Sequence, residues 1–209
     1  MYRPKSFIQV DEQKIKQIIN DYPFATILST QTDGEIFINH LPLMMSPTEV
    51  DVLIGHMAKN NPQWKHFEAN PHAIVIFQGP HTYISPRWYK SGRDVPTWNY
   101  AVVHLKVRVD LLPGFDDQVN VLKLMSEYFE KDVTNPWGFH LPDDLREAVQ
   151  LSNAVMSFKF HIEEVEAKFK LSQNRTVEDQ TGVIEGLEYE RTDDLSLDVA
   201  KLMSETLKG

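Results

Sequence analysis

Two strand-like runs joined by a short turn constrain the fold of this chain most strongly. Residues 24–30 and 35–41 are rich in aromatic and β-branched side chains, and Thr32-Asp33-Gly34 between them favours a tight hairpin turn. Strands joined by a hairpin run antiparallel, whereas neighbouring parallel strands need a long crossover connection. The sequence therefore predicts an antiparallel sheet at the centre of the fold.

Further strands and helices follow in an order that does not alternate regularly, so a parallel βαβ sheet is not expected. Gly79-Pro80 is expected to break one strand into two, and residues 87–96 are expected to form a polar, aromatic loop. The remaining predicted strands cover 51–57, 73–77, 81–85, 98–112 and 155–162, and the predicted helices begin near residues 11, 61, 117, 143, 176 and 195. This pattern predicts an α+β fold around a small antiparallel barrel, as one domain over residues 1–189 with residues 190–209 as its helical tail.

Composition and charge limit the classes of function. The 209 residues include no cysteine, which excludes disulfides, thiolate catalysis and cysteine-ligated metals. The formal net charge of −9 and the absence of a strongly basic cluster argue against direct DNA binding. The modest basic stretch of Lys168, Lys170 and Arg175 suits a small anionic ligand better than a duplex. No segment resembles a signal peptide or an apolar membrane span, so a cytoplasmic protein without membrane contact is expected.

Common catalytic and nucleotide-binding motifs are absent from the sequence. It contains no G-x-G-x-x-G, no Walker lysine loop, no H-E-x-x-H and no G-x-S-x-G. None of the eight histidines has a histidine four residues away, so we interpret them as structural or solvent-facing rather than as metal ligands. A catalytic residue therefore cannot be assigned from a motif.

Four runs at predicted strand ends mix aromatic, amide, hydroxyl and cationic side chains. A flat heteroaromatic ligand with a phosphate tail needs that mixture, because aromatic faces stack on its ring, amides bond the ring edge and cations bind the tail. The alternative is that these runs only pack over the ends of a barrel, with their amides satisfying turn backbones. The runs cover residues 55–64, 79–89, 95–100 and 170–175.

The first run contains a candidate anion site. A strand is expected to end near Met57 and a helix to begin at Asn61-Pro62, which would leave free backbone N–H groups and the positive helix end beside Lys59 and Asn60. The alternative interpretation is an ordinary strand-to-helix turn with a solvated lysine.

These runs resemble the PaiB family of FMN-binding negative transcriptional regulators. The resemblance covers nearly the whole chain and is most specific in Val95-Pro96-Thr97-Trp98-Asn99-Tyr100 and Lys170-Leu171-Ser172-Gln173-Asn174-Arg175. It implies an antiparallel split β-barrel, a homodimer with FMN at the interface, and a role in protease synthesis and sporulation. Carried onto this sequence, it implies cofactor contacts from Lys59, Asn60, Asn61, Thr97, Trp98, Asn99, Tyr100, Lys170, Ser172, Gln173 and Arg175.

Three functions remain open at this point. The first is an FMN-binding regulator that acts through a protein partner or a metabolite. The second is an FMN-dependent oxidoreductase, and the third is a haem-handling split barrel, because one fold supports several functions. A dimer is also predicted on the ground that a monomer would expose Trp64, Trp88 and Trp98.

Overall fold

A computed structural model describes residues 1–92 and 95–208 of the chain. Arg93 and Asp94, in the predicted loop of residues 87–96, lie outside the described residues, as does Gly209 at the end of the predicted tail.

Within the described residues, eight strands form a single sheet in the order β3-β2-β6-β7-β8-β5-β4, with β1 paired to β8. The predicted hairpin is confirmed, since β2 and β3 pair antiparallel from Phe24 opposite Pro42 to Thr30 opposite Ile36. Gly34 in the turn has a φ of +89°, a conformation that costs glycine least. The strands are β1 (Ile8–Gln9), β2 (Phe24–Thr30), β3 (Ile36–Pro42), β4 (Met44–Met45), β5 (Val52–Ala58), β6 (His72–Ile84), β7 (Thr97–Leu112) and β8 (Val155–Lys170).

Six α-helices lie close to their predicted positions in the described part of the chain. Asp11 accepts hydrogen bonds from the backbone nitrogens of Gln13 and Lys14 and so caps the first helix. Thr176 caps the fifth helix by accepting from the backbone nitrogen of Asp179. The helices are α1 (Glu12–Asp21), α2 (Gln63–Ala69), α3 (Phe115–Glu130), α4 (Leu145–Asn153), α5 (Val177–Glu190) and α6 (Asp194–Lys208).

The predicted break at Gly79-Pro80 is wrong, because β6 continues through both residues. β6 pairs with β2 over Ala73–Ile76, so the missing N–H of Pro80 removes no bond from that ladder. Gly79 lies at a close approach of the strand to its neighbours, since a Cβ there would lie 3.1 Å from the Ala101 carbonyl oxygen and 3.2 Å from the side chain of Ile18. The two residues therefore mark a close approach rather than a turn.

The predicted end of the last strand at Ile162 is also wrong, because β8 continues to Lys170. The run Glu163-Glu164-Val165 interrupts the alternation of apolar and polar residues, and all three side chains are exposed. Beyond it the strand is buried again at Ala167 and Phe169. This extension places Lys168 and Lys170 two residues apart, on the same side of one strand.

Contacts divide the described residues into two compact units, and the one-domain assignment stays a prediction. Unit 1 comprises residues 1–21, 78–103 and 166–208, and unit 2 comprises 22–77 and 104–165. In unit 1, Trp88 packs against Gly182 and Gly186 of α5, where a Cβ would lie within 2.5 Å of it. In unit 2, the rings of Phe67, Phe158 and Phe160 contact one another in the core.

Among the described residues, none of the helices is long and apolar enough to cross a bilayer.

Candidate functional site

Lys170, the last residue of β8, brings the two most specific sequence runs together in unit 1. Its ammonium Nζ donates to the Thr97 hydroxyl at 2.7 Å and to the Trp98 carbonyl oxygen at 2.5 Å. The structure thus brings residues 95–100 and residues 170–175, both predicted to contact the cofactor, together at the start of β7. Both acceptors are neutral, so the bonds leave the charge of Lys170 uncompensated by either of them.

Two further cations lie near Lys170. Burial is the main cause that lowers the pKa of Lys170, and the positive charges of Lys168 and Arg175 lower it further. Lys168 is buried, with its Nζ 5.3 Å from the Tyr100 ring centroid and 3.1 Å from the Tyr2 carbonyl oxygen. The Arg175 guanidinium lies 5.5 Å from the Tyr89 ring centroid. Three like charges therefore lie near one another, and the described acceptors of Lys168 and Lys170 are neutral, an arrangement that favours an anion.

Exposed aromatic rings lie beside this cation cluster. The Trp98 side chain is 54% exposed, although its carbonyl oxygen accepts from Lys170. Its ring centroid lies 6.3 Å from that of His81 and 6.4 Å from that of Tyr83, both on β6. Unit 1 therefore presents a ring surface next to an anion-favouring site, which is the chemistry that a flat ring with a phosphate tail requires.

Asn99 and Ser172 lie behind that surface and bond each other. Asn99 is fully buried, and its Nδ2 donates to Ser172 Oγ at 2.9 Å and contacts Met203 Sδ at 3.3 Å. Ser172 has a φ of +64° and donates back to Asn99 Oδ1 at 3.3 Å. Gln173 bonds the backbone of Leu171 and Phe169. These polar groups fasten the segment after β8 to the start of β7.

The turn before α2, in unit 2, differs from its prediction. Free backbone N–H groups were expected there, but the N–H of Lys59 donates to Ala154, that of Asn61 to Ala58, and that of Gln63 to Asn61 Oδ1. The side chain of Asn61 thus accepts from Gln63, the first residue of α2. Lys59 Nζ lies 4.3 Å above the Trp64 ring, and Trp64 Nε1 donates to the Lys59 carbonyl at 2.9 Å. Asn60 lies in this turn and is exposed.

Several residues of interest were not assigned a role from the sequence, and one was misjudged. His81, Tyr83 and Lys168 were noted only within longer stretches and were not named as cofactor contacts, although Lys168 and Lys170 share one side of a strand by their spacing. Trp88 was expected to be exposed, but it is only 7% exposed because it packs against the glycines of α5. The exposed apolar side chains of β2, β3 and β6 were missed instead: Phe24, Ile36, Ile38 and Ile74.

Comparison with known structures confirms the α+β fold with an antiparallel sheet of the split-barrel type. The FAD and haem binding protein from Mycobacterium smegmatis superposes with a TM-score of 0.59 at 11% identity, over 83% of this chain and 78% of that one. The flavocytochrome Anf3 from Azotobacter vinelandii gives a TM-score of 0.59 at 16% identity, over 87% and 78%. Identities this low establish the fold alone.

Sequence comparison establishes the family. A protein of Bacillus subtilis (strain 168), named "Protease synthase and sporulation protein PAI 2", is 37% identical over 211 residues, which span 100% of this chain and 99% of that relative. Residues 1–164 match a family model described as "Putative FMN-binding domain". The match includes Lys59–Asn61 and Thr97–Tyr100 and ends before Lys168. The PaiB resemblance is thereby confirmed: the chain belongs to this FMN-binding family, and its cofactor is FMN.

Proposed function

We propose that FMN binds on unit 1 with its phosphate at Lys170 and its ring system against the exposed aromatic side chains. The observation that carries this proposal is the group of three cations around Lys170, whose mutual repulsion a phosphate dianion relieves. The donor set fits the cofactor, because an ammonium and a guanidinium suit its phosphate and an exposed indole suits its ring. Bound FMN supplies a redox centre that accepts or donates electrons.

The predicted site residues take two roles in this proposal. Thr97, Trp98, Tyr100, Lys170 and Arg175 supply or adjoin the ligand-facing surface. Asn99, Ser172 and Gln173 act behind it, because their polar groups bond within the protein. Replacing Asn99 with alanine removes the donor to Ser172 and is expected to weaken FMN and riboflavin alike.

Lys59, Asn60 and Asn61 form the second candidate for the phosphate contact. They lie within the residues that match the family model, and the ammonium of Lys59 faces an indole ring rather than a carboxylate. The bonded N–H groups of Lys59 and Asn61 weaken this candidate. A comparison of variants at Lys59 and Lys170 distinguishes the two.

The biological role that we propose is regulation, after the protein of Bacillus subtilis whose name concerns protease synthesis and sporulation. The acidic net charge favours regulation through a protein partner rather than through direct DNA binding. A cytoplasmic location is proposed with it, supported by the absence of cysteine.

We further propose a homodimer that forms through the exposed sheet face of unit 2. Phe24, Ile36, Ile38 and Ile74 are large, exposed and uncharged, and β3 stands at the end of the strand order. An exposed apolar face at an edge strand favours association with another protein surface. A second copy of this chain fits, because an uncharged face can meet itself without the repulsion that a net charge of −9 causes elsewhere.

The absorption spectrum of purified protein tests the cofactor assignment directly. Flavin bands are expected, whereas a Soret band would assign the protein to haem handling instead. Steady oxidation of a nicotinamide by the FMN-loaded protein would replace the regulatory role with an oxidoreductase. For the dimer, Ile38→Lys is expected to halve the mass measured by light scattering, and the same substitution at exposed Val177 on α5 should leave that mass unchanged.

A further inference from the structure

The connection between α3 and α4 in unit 2 forms an open groove beside α3. The groove has a volume of about 710 Å³ and lies between α3 and residues 139–143. One side of α3 is buried, with Val121 and Met125 packed against β4 and β5. The groove lies on another side of α3 and is lined chiefly by Val119, Lys123, Phe139, Leu141, Pro142 and Asp143.

A tryptophan is held exposed at the edge of this groove. The Trp137 side chain is 59% exposed, and its ring packs edge-to-face on Phe139 at 6.1 Å between centroids. Its backbone nitrogen donates to Glu130 Oε2 at 2.8 Å, which fixes the chain at that point. Exposed tryptophans next to an apolar groove are typical of protein interfaces, where they contribute much of the binding energy.

The charge around the groove indicates what kind of partner fits. Residues 115–153 include eight acidic and three basic residues, which gives −5 of the formal net charge of −9. Asp143 lines the groove, and Asp132 is exposed in the same connection. Such a surface attracts a cationic partner and repels nucleic acid and anionic lipid.

We propose that this groove binds a cationic amphipathic segment of a partner protein. An apolar side chain of the segment enters the groove against Phe139 and Trp137, and its lysine or arginine residues face the acidic surroundings. This inference rests on the proposed regulatory function, and it identifies where the protein partner binds and which chemical properties its binding segment has. It uses no residue of the proposed FMN site, so a failure here leaves FMN binding intact, and the reverse also holds.

The test uses the full-length, FMN-loaded protein and a labelled 14-residue peptide of leucine and lysine patterned as an amphipathic helix. Fluorescence anisotropy measures its affinity at low and high salt. Trp137→Ala is expected to weaken binding by about tenfold or more. Asp132→Asn with Asp143→Asn is expected to weaken it and to reduce its salt dependence. The matched control, Glu178→Gln with Glu188→Gln, makes the same charge change on exposed positions of α5 and should leave the affinity unchanged.

Three results would overturn the proposal. The first is an equal loss of peptide affinity in the Asp132/Asp143 variant and in its Glu178/Glu188 control. The second is an unchanged affinity in Trp137→Ala. The third is a leucine–glutamate peptide that binds as tightly as the leucine–lysine peptide. Binding to phosphatidylglycerol vesicles in place of the peptide would assign the surface to a membrane and overturn it too. Flavin content and thermal melts establish that each variant is folded, and Leu141→Ser serves as a second apolar variant that should show the same loss.

Discussion

The substitution Lys170→Met tests whether Lys170 binds the phosphate of FMN or supports the binding of its ring. The substitution keeps the length of the side chain and removes its charge and its bonds to Thr97 and Trp98. FMN and riboflavin share the isoalloxazine ring, and only FMN carries the phosphate. Lys170→Met is therefore expected to weaken FMN binding and to leave riboflavin binding nearly unchanged.

The size of the effect follows from one charge-assisted hydrogen bond. Such a bond contributes about 1.5–3 kcal/mol, which corresponds to a loss in affinity of roughly 10- to 150-fold. Without ligand, the melting temperature should hold, because the lost hydrogen bonds are offset by the relief of repulsion from Lys168 and Arg175.

The pH dependence supplies an independent check on the same residue. The folded pKa of Lys170 lies below its ordinary value, so its ammonium loses the proton at a lower pH than a free lysine does. The affinity for FMN should fall as pH rises through that lowered pKa. The arginine in Lys170→Arg keeps its charge at alkaline pH, so the affinity of this variant for FMN should not fall over the same pH range.

Fluorescence titration of FMN and riboflavin against Lys170→Met and Lys59→Met decides the question. If FMN and riboflavin lose affinity equally in Lys170→Met, the residue supports the fold and does not contact the phosphate. If Lys59→Met alone loses FMN selectively, the phosphate lies at the turn before α2 and the reasoning from the cation cluster is wrong.

Two further predictions concern stability. Gly186→Ala places a Cβ 2.3 Å from the Trp88 ring, so a loss of about 1–3 kcal/mol is expected in urea unfolding, while alanine at exposed Val177 should cost little. Burial lowers the pKa of His56 below 6.5, so the unfolded chain takes up the proton first as pH falls. The free energy of unfolding should therefore decrease as pH falls below 6.5. The variant His56→Leu should show a smaller decrease. An unchanged pH profile in this variant would contradict the role of His56 in that decrease.

Local patterns were enough to predict most elements of the fold. The hairpin turn, the caps at Asp11 and Thr176 and the ends of most helices depend on residues adjacent in sequence. The break at Gly79-Pro80 was mispredicted because Gly79 lies at a close approach to Ile18 and Ala101, both distant in sequence. Likewise, the end of β8 was mispredicted because the strand continues past its exposed, charged middle to the buried residues Ala167 and Phe169.

The candidate site could be predicted only as regions. The runs at residues 95–100 and 170–175 were identified as site regions, and the structure brings them into contact through Lys170. Their contact with FMN stays a prediction. Individual roles could not be derived, since an amide that bonds a ligand and one that bonds a buried serine look the same in sequence. Asn99 shows this, because its burial depends on the packing of α6 through Met203.

The conformation of Ser172 narrows the set of residues that evolution or a mutagenesis screen can accept there. Its φ of +64° favours glycine and disfavours β-branched side chains, so threonine is a poor replacement despite its hydroxyl. Glycine suits the backbone but supplies nothing for Asn99 to bond. Asparagine and aspartate tolerate the backbone but are larger than serine in a fully packed position. A saturation library scored for flavin retention should therefore be depleted of almost every codon but serine at this position, whereas exposed Asn174 two residues later should tolerate many.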